Sequence, residues 1–314
     1  MRMCFMRLLK RTMVQLVGFG VSIAAVFYCY GVARRVDLFQ ATIEVGWNWM
    51  ILAAGINFII IGIKSLRWKM MLQSVGGAPL TEVYKSVLIG YALNNVLPVR
   101  GGEVARIHWI GRKASLSYSA TTANLVSDRL IEGLSLAFLS LMVFFDSAAP
   151  IEIKKGAGVL LLVTIFMYVG LVFLRRLPRG PVWFQDFQKG LHSFMSWSIH
   201  LRGICYSLIN WIFQVVLIYC VHRSLGIWLP VWSLFLVLFA INIAIIVPSA
   251  PGNVGTFEVG GLFIYKFVGL PEDMALITTF VYHAVQVIPV TLAGGMIVLQ
   301  AVFLDRGALR ERGP

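Results

Sequence analysis

Two stretches of the sequence combine ionised side chains with residues that break helices. The first runs from Asn94 to Glu132 and the second from Pro248 to Glu258, both within apolar sequence. An ionised side chain at membrane depth is costly unless it pairs or faces a wet cavity. Non-helical backbone at that depth is tolerated only where protein or a cavity surrounds it. The two stretches therefore predict the lining of a polar site inside a membrane protein.

Arginine side chains of these stretches are suited to binding a phosphate. The planar guanidinium of arginine holds a phosphate through two parallel hydrogen bonds. The predicted phosphate ligands are Arg100, Arg106 and Arg129. The carboxylates expected to hold these arginines, or to meet a cationic lipid head, are Glu103, Asp128, Glu132 and Glu258.

Turn residues of both stretches are assigned to the same substrate site. Glycine allows tight turns and close approach of the backbone, and helix starts after Gly102 and Gly255 would direct positive N–H groups at an anion. The turn residues are Asn95, Pro98, Gly101 and Gly102, followed by Pro251, Gly252, Asn253 and Gly255. His283 and Gln286 complete the predicted site, and their spacing favours interhelical hydrogen bonds over a proton relay.

The role of the Asp128–Glu132 segment has two interpretations. Asp128 and Glu132 are four residues apart, so they share one helix face, while Arg129 lies about 100° round the helix. These residues either neutralise one another and hold helices together or contribute to a substrate site. The sequence leaves both interpretations open.

Composition identifies the class of protein. Of 314 residues, 59% are hydrophobic and 13% are charged, whereas a soluble domain carries about 25% charged residues. The net charge of +13 comes from Lys and Arg beside the ends of apolar segments, which indicates topology signals and contacts with anionic lipid heads, not nucleic acid. The cysteines and histidines show no metal-ligand spacing, and no P-loop motif occurs. We therefore predict no cofactor, metal or catalytic residue.

The predicted fold is an all-α polytopic membrane protein formed by a single domain, residues 1–314. About six full transmembrane helices are expected from segments of about 20 apolar residues. They are residues 12–32, 49–66, 117–145, 156–174, 203–221 and 274–304. We expect the second of these to end before Arg67, which would mark the cytoplasmic surface. Residues 181–200 are expected to form an interfacial amphipathic helix.

Two further apolar segments, residues 83–113 and 231–268, are short and broken. Treating each as a re-entrant helical hairpin keeps the basic segments, the N-terminus and the C-terminus in the cytoplasm of a cell (inner or plasma) membrane. Each hairpin turns at a proline followed by a glycine-rich run that ends in glutamate, Pro98 to Glu103 and Pro251 to Glu258. Interrupted helices of opposite orientation are typical of an inverted repeat, which is therefore possible here.

The two stretches resemble a known family, the lysylphosphatidylglycerol synthase transmembrane region or flippase-like domain. The matching residues are 95–103 with Arg106, 128–132 and 248–258, and the resemblance covers nearly the whole chain. It implies movement of aminoacylated phosphatidylglycerol between leaflets. The family's aminoacyl-transfer domain is a separate soluble module, so a chain ending at Pro314 would be a stand-alone member. Stand-alone members also resemble parts of lipid-linked sugar machinery, which adds polyprenyl-phosphate-type lipids to the candidate substrates.

The sequence therefore predicts a membrane lipid translocase that is not itself an enzyme. Its expected partners are anionic phospholipids or lipid-linked phosphates, with a separate lipid-modifying enzyme as a further candidate. One alternative is a membrane-embedded enzyme that acts on a lipid phosphate, with Glu103, Asp128 and Glu132 as acid/base groups or Mg²⁺ ligands. Another is a membrane scaffold subunit for a lipid-modifying or glycosyl-transfer enzyme.

Overall fold

The computed structural model describes residues 20, 23–24, 26–34, 45–97, 101–145, 150–178, 180–191, 196–247 and 249–311. Nearly all of these residues are helical, and none of them forms a strand. The all-α prediction is therefore confirmed for the described part of the chain. Helical residues 26–34 precede ten helices, α1 (Trp47–Leu72), α2 (Leu80–Val96), α3 (Gly101–Lys113), α4 (Tyr118–Phe145), α5 (Ile151–Arg176), α6 (Val182–Gly190), α7 (Trp197–Ser224), α8 (Val231–Ala244), α9 (Thr256–Phe267) and α10 (Glu272–Glu311).

Prolines set the first residue of several helices. A proline lacks the N–H that a helix interior requires, so a helix accommodates it without cost only in its first turn. The helices α2, α5, α6 and α8 each start directly after a proline, at Pro79, Pro150, Pro181 and Pro230. The starts of α2 and α5 lie three and five residues before the predicted residues 83 and 156.

In the described residues, four helical segments are long and apolar enough to cross a membrane. They are Trp47–Val75, Ile151–Arg176, Trp197–Ser224 and Glu272–Phe303. Helix α4 has 28 residues but contains Asp128, Arg129 and Glu132. About half of the predicted span 12–32 lies outside the described residues, so the total of six spans stays a prediction.

Besides the nine-residue α6, four of the described helices are too short to cross a membrane alone. Helices α2 and α3 have 17 and 13 residues, and α8 and α9 have 14 and 12, against the roughly 20 needed. These helices fall in the two segments predicted to be broken. Helix α2 packs between α3 and α10, while α9 packs against α8 and α10. The long helices α1 and α7 pack along one another.

Helix α10 contains a proline whose effect is compensated by a side chain of α1. Pro289 lies inside α10, and its missing N–H leaves the carbonyl four residues earlier without a helical partner. The Asn57 side-chain amide donates to that carbonyl, of Val285, at 3.1 Å and to the carbonyl of Gln286 at 2.9 Å. This contact joins α1 to α10 at the level of the predicted site.

The predicted amphipathic helix at residues 181–200 is shorter than expected. Helix α6 ends at Gly190, and Trp197 already begins α7. Gly190 is buried, and a Cβ atom there would overlap the carbonyl oxygen of Ala120 in α4. The end of α6 therefore packs against α4.

Candidate functional site

A buried ion pair joins α1 to α4. The Arg67 guanidinium donates from Nε to Asp128 Oδ1 at 2.8 Å and from Nη2 to Asp128 Oδ2 at 3.2 Å. Its Nη1 donates to Ser207 Oγ of α7 at 2.8 Å. The side chains of Arg67 and Asp128 are both 1% exposed. This pair is the structural centre of the site, because it joins three helices.

Glu132 accepts hydrogen bonds from three cationic side chains. Its Oε1 accepts from Lys64 Nζ at 2.6 Å, and its Oε2 accepts from Arg67 Nη2 at 3.1 Å and from Arg129 Nη1 at 3.0 Å. Lys64 also donates to the Tyr91 hydroxyl of α2 at 2.9 Å. A carboxylate so surrounded stays ionised, since proton binding would leave three cations without their anion.

The site is open to the surface on the side of α3. Arg129 Nη2 donates to Glu103 Oε1 at 2.6 Å, and these two side chains are 33% and 27% exposed. Exposure therefore decreases from Glu103 and Arg129 inward to Arg67 and Asp128. A ligand approaching the site meets the Glu103–Arg129 pair first.

Arg106 is buried with part of its guanidinium unbonded. Its side chain is 2% exposed, and the nearest oxygens of Glu103 and Asp128 lie 3.9 Å away. Its Cζ lies 3.8 Å from the centre of the Trp68 ring, a cation–π contact. Within the described residues, neither Nε nor Nη2 of Arg106 has a hydrogen-bond partner. Burying such donors unsatisfied is unfavourable, so these two are available to an acceptor from outside the protein.

These residues form what we call the charge cluster, defined as Lys64, Arg67, Arg106 and Arg129 with Glu103, Asp128 and Glu132. Four cationic side chains face three carboxylates, which leaves one excess positive charge among the described residues. A net positive cluster with free guanidinium donors is suited to a phosphate or another anion.

Sequence reasoning missed two members of the charge cluster. Our expectation that the second span ends before Arg67 is wrong, because α1 continues to Leu72 and Arg67 is buried. Lys64 was not considered at all. Their spacing of three residues places both side chains on one helix face, opposite the Asp128–Glu132 face of α4. That shared face was the available signal.

A second polar site joins α9 to α10. Glu258 Oε1 lies 2.5 Å from His283 Nδ1, and His283 Nε2 lies 2.8 Å from the carbonyl oxygen of Gly252. The Phe257 ring stacks on the His283 ring, with the centres 4.1 Å apart and the planes at 10°. Gln286 donates to the Tyr282 hydroxyl at 2.8 Å and to Gln214 Oε1 of α7 at 3.2 Å. The predicted interhelical hydrogen bonds of His283 and Gln286 are confirmed.

Two of the backbone N–H groups at the predicted helix starts already have acceptors. The Gly102 N–H donates to Asn94 Oδ1 at 2.9 Å, and the Gly255 N–H donates to Glu258 Oε2 at 2.6 Å. These two hydrogen bonds fix the starts of α3 and α9. The expectation of an anion at the N–H groups that follow Gly102 and Gly255 stays a prediction.

The turn of the second stretch lies against the end of α2. Pro251, Gly252 and Asn253 form a 3₁₀ turn, with Gly252 in the left-handed region at φ 70°. A Cβ atom on Gly252 would lie 3.5 Å from the carbonyl oxygen of Asn95, whose side chain donates to Thr291 Oγ1 of α10 at 2.8 Å. The two predicted stretches therefore meet.

Two predicted site residues, Pro98 and Arg100, lie outside the described residues, and their assignment stays a prediction. Gly101 is the first residue of α3. A separate apolar groove of about 350 Å³ lies between α5, α8 and α9 and is lined by residues such as Ile243, Val259 and Phe263. It contains no member of the charge cluster.

Comparison with known proteins supports the resemblance seen in the sequence. The model of the family described as the lysylphosphatidylglycerol synthase TM region matches residues 15–294 of this chain. A UPF0104 membrane protein of Methanothermobacter thermautotrophicus is 21% identical, over 83% of this chain and 87% of its own length. UPF0104 membrane protein PH1989 of Pyrococcus horikoshii is 22% identical, over 91% and 96%. No solved structure matches the chain. The chain is therefore a multi-pass membrane protein that belongs to the family of the lysylphosphatidylglycerol synthase transmembrane region.

Proposed function

We propose that the protein is a lipid translocase that moves a lipid with a phosphate head between the two leaflets. The observation that carries the proposal is Arg106, a buried arginine with two unbonded donors inside a cluster of net positive charge. A lipid phosphate is costly at membrane depth. A guanidinium that is already desolvated offers it charge-assisted hydrogen bonds.

Members of the charge cluster have different roles in this proposal. The Arg67–Asp128 pair is fully bonded and holds α1, α4 and α7 together. The Arg129–Glu103 pair lies at the exposed side, where a lipid head enters. Arg106 lies between them with free donors and binds the phosphate. Both interpretations left open by the sequence therefore apply, but to different residues.

The membrane arrangement that fits this proposal has six full spans and two re-entrant hairpins. The hairpins are α2–α3 and α8–α9, whose helices are each shorter than a membrane crossing. They enter from opposite faces and meet where Gly252 lies against Asn95. Basic residues near the ends of the spans favour cytoplasmic termini in the plasma membrane.

The substrate class follows from the charges at the exposed side. An anionic phospholipid or a polyprenyl-phosphate-type lipid supplies the phosphate for Arg106. Glu103 is partly exposed, so its carboxylate can also meet the cationic group of an aminoacylated lipid. An excess of one positive charge favours a lipid whose head carries at least one uncompensated negative charge.

Replacing Arg106 by glutamine measures its contribution. A hydrogen bond to a charged group contributes about 1.5–3 kcal/mol, and 1.4 kcal/mol corresponds to a factor of about ten. Arg106→Gln should therefore slow lipid movement by about 10–100-fold. Arg112→Gln is the matched control, because Arg112 is exposed at the end of the same helix.

The test uses purified protein in liposomes that contain a labelled anionic lipid. Wild type and Arg112→Gln should speed the exchange of this lipid between leaflets equally, and the exchange with Arg106→Gln should be about 10–100-fold slower. Equal exchange in wild type, Arg106→Gln and empty liposomes would refute the proposal. Consumption of a lipid phosphate with added Mg²⁺ would point to an enzyme instead.

A further inference from the structure

The two ring nitrogens of His283 each face an acceptor oxygen, whereas a neutral imidazole has only one N–H to donate. His283 Nδ1 faces a carboxylate oxygen at 2.5 Å, and Nε2 faces the Gly252 carbonyl oxygen at 2.8 Å. A neutral imidazole carries one N–H and donates to only one of them. A carbonyl oxygen never donates, so Nε2 carries a proton. A second proton must therefore lie between Nδ1 and Glu258 Oε1.

The second proton can belong to either partner without changing the total charge of the pair. Either an imidazolium faces a carboxylate, or a neutral imidazole accepts from a carboxylic acid, and both contain the same number of protons. Removing this proton leaves the Nδ1 lone pair opposite a carboxylate oxygen at 2.5 Å. That contact is repulsive, so the observed geometry requires the proton.

The surroundings hold both groups in place. Glu258 Oε2 accepts from the Gly255 N–H at 2.6 Å, which fixes the carboxylate. Phe257 stacks on the imidazole and fixes the plane of the ring. The pair can therefore respond to loss of the proton only by moving His283 away from the carboxylate or the turn away from His283.

Neighbouring titratable groups do not neutralise the pair. Helix α8 contributes no titratable side chain. The thiol and phenol groups near the Glu258–His283 pair are uncharged near neutral pH. These groups are Cys29 of residues 26–34, which lies near Glu258, and Tyr282 of α10, whose ring contacts Phe257. Tyr265 of α9 contacts His222 of α7 instead. Lys266 and Glu272 pair with each other at the other end of α9, at 2.6 Å.

We propose that Glu258 and His283 form a proton-binding site that couples proton movement to lipid movement. With the proton bound, His283 holds Gly252 and the turn stays against Asn95 of α2. Asn94, the preceding residue, caps Gly102 at the start of α3, and α3 carries Arg106. Loss of the proton releases the turn and thereby alters the contact that positions α3. The coupling to lipid rests on the proposed function, whereas the proton-dependent contact does not.

A cysteine at Val254 reports on the turn without any lipid assay. Val254 is exposed beside Gly252, so release of the turn should increase the labelling of Val254→Cys by a maleimide. Thiol reactivity itself rises with pH, because the thiolate is the nucleophile. Val231→Cys, exposed at the start of α8, is the control, in a background whose native cysteines are replaced by alanine. The measured quantity is the ratio of the two labelling rates.

Glu258→Gln fixes the pair in its protonated form. Its amide N–H can donate to Nδ1 of a neutral His283, while its oxygen accepts from the Gly255 N–H. Between about pH 5 and about pH 9, the wild-type labelling ratio should rise by up to about tenfold per pH unit until the turn is released. The ratio should stay low and flat in Glu258→Gln, and stay high in His283→Ala.

A wild-type ratio that does not change with pH would overturn the proton site, and so would a Glu258→Gln variant with the wild-type pH dependence. If Glu258→Gln does not fold, a high and flat ratio in His283→Ala together with a rising wild-type ratio supports the site. Lipid exchange measured on the same proteins then tests the coupling. A pH-dependent labelling ratio without any lipid exchange would overturn only the coupling and the proposed function.

Discussion

Replacing Arg67 by methionine should destabilise the protein strongly, because it removes the cation from a fully buried pair. Methionine keeps much of the length of the side chain but none of its four hydrogen bonds, to Asp128, Glu132 and Ser207. Asp128 is then left with Arg106 at 3.9 Å and no charged donor at hydrogen-bond distance. An uncompensated carboxylate remains in a site that is 1% exposed.

The expected loss follows from measured behaviour of such pairs. Removing one partner of a buried ion pair costs about 3–5 kcal/mol, whereas replacing both by apolar residues is often close to neutral. At about 2 °C per kcal/mol for a larger protein, Arg67→Met should lower Tm by about 6–10 °C. The double variant Arg67→Met with Asp128→Leu should recover at least half of that loss.

Thermal unfolding of the detergent-purified protein, followed by the loss of the monodisperse peak, measures this effect. Lys69→Met is the control, because Lys69 lies on the same helix, is partly exposed and has no side-chain hydrogen bond among the described residues. It should change stability by less than about 0.5 kcal/mol. Equal Tm values for Arg67→Met and Lys69→Met would refute the role of the pair. A double variant less stable than Arg67→Met would refute the charge argument.

Two further predictions concern the helix contacts that position the site. Gly102→Ala should lower the free energy of unfolding by about 3 kcal/mol, because its Cβ would overlap the Gly90 carbonyl oxygen of α2. Gly101→Ala is the control, since its Cβ would meet only ordinary contacts, and it should keep the wild-type Tm. Asn57→Leu should cost about 1–3 kcal/mol, because the buried Val285 carbonyl, which Pro289 leaves without a helical N–H, loses its donor, and the partly buried Gln286 carbonyl loses a hydrogen bond as well. The cost of Asn57→Leu should be smaller in a Pro289→Ala background, where α10 regains its own N–H; equal costs in both backgrounds would contradict the compensation. Thermal unfolding measures all four changes.

Sequence patterns predicted the helical class and the broken elements because their signals are local. Charge within apolar sequence and helix breakers beside it identified residues 94–132 and 248–258. In the structure, helices begin directly after Pro79 and Pro230, a signal that the sequence analysis did not use. The pairing of Glu258 with His283 was not predicted, although both residues were assigned to the site. Their contact joins positions 25 residues apart, and residue types alone do not specify which polar groups meet.

Arg67 and Lys64 show why part of the charge cluster escaped prediction. An arginine at the end of an apolar run is the usual sign of a membrane surface, so Arg67 was assigned to topology. Its burial depends on α1 packing against α4 and α7, a tertiary arrangement that local sequence does not contain. The free donors of Arg106 likewise appear only once the partners of the neighbouring carboxylates are known.

Binding of a short-chain anionic phospholipid to the maltoside-solubilised protein tests the central claim most directly. If the unbonded donors of Arg106 hold the lipid phosphate, wild type and Arg112→Gln should bind it saturably and with equal affinity. Arg106→Gln should bind about 10–100-fold more weakly. Equal affinity in all three proteins would contradict the claim that the charge cluster is a phosphate site.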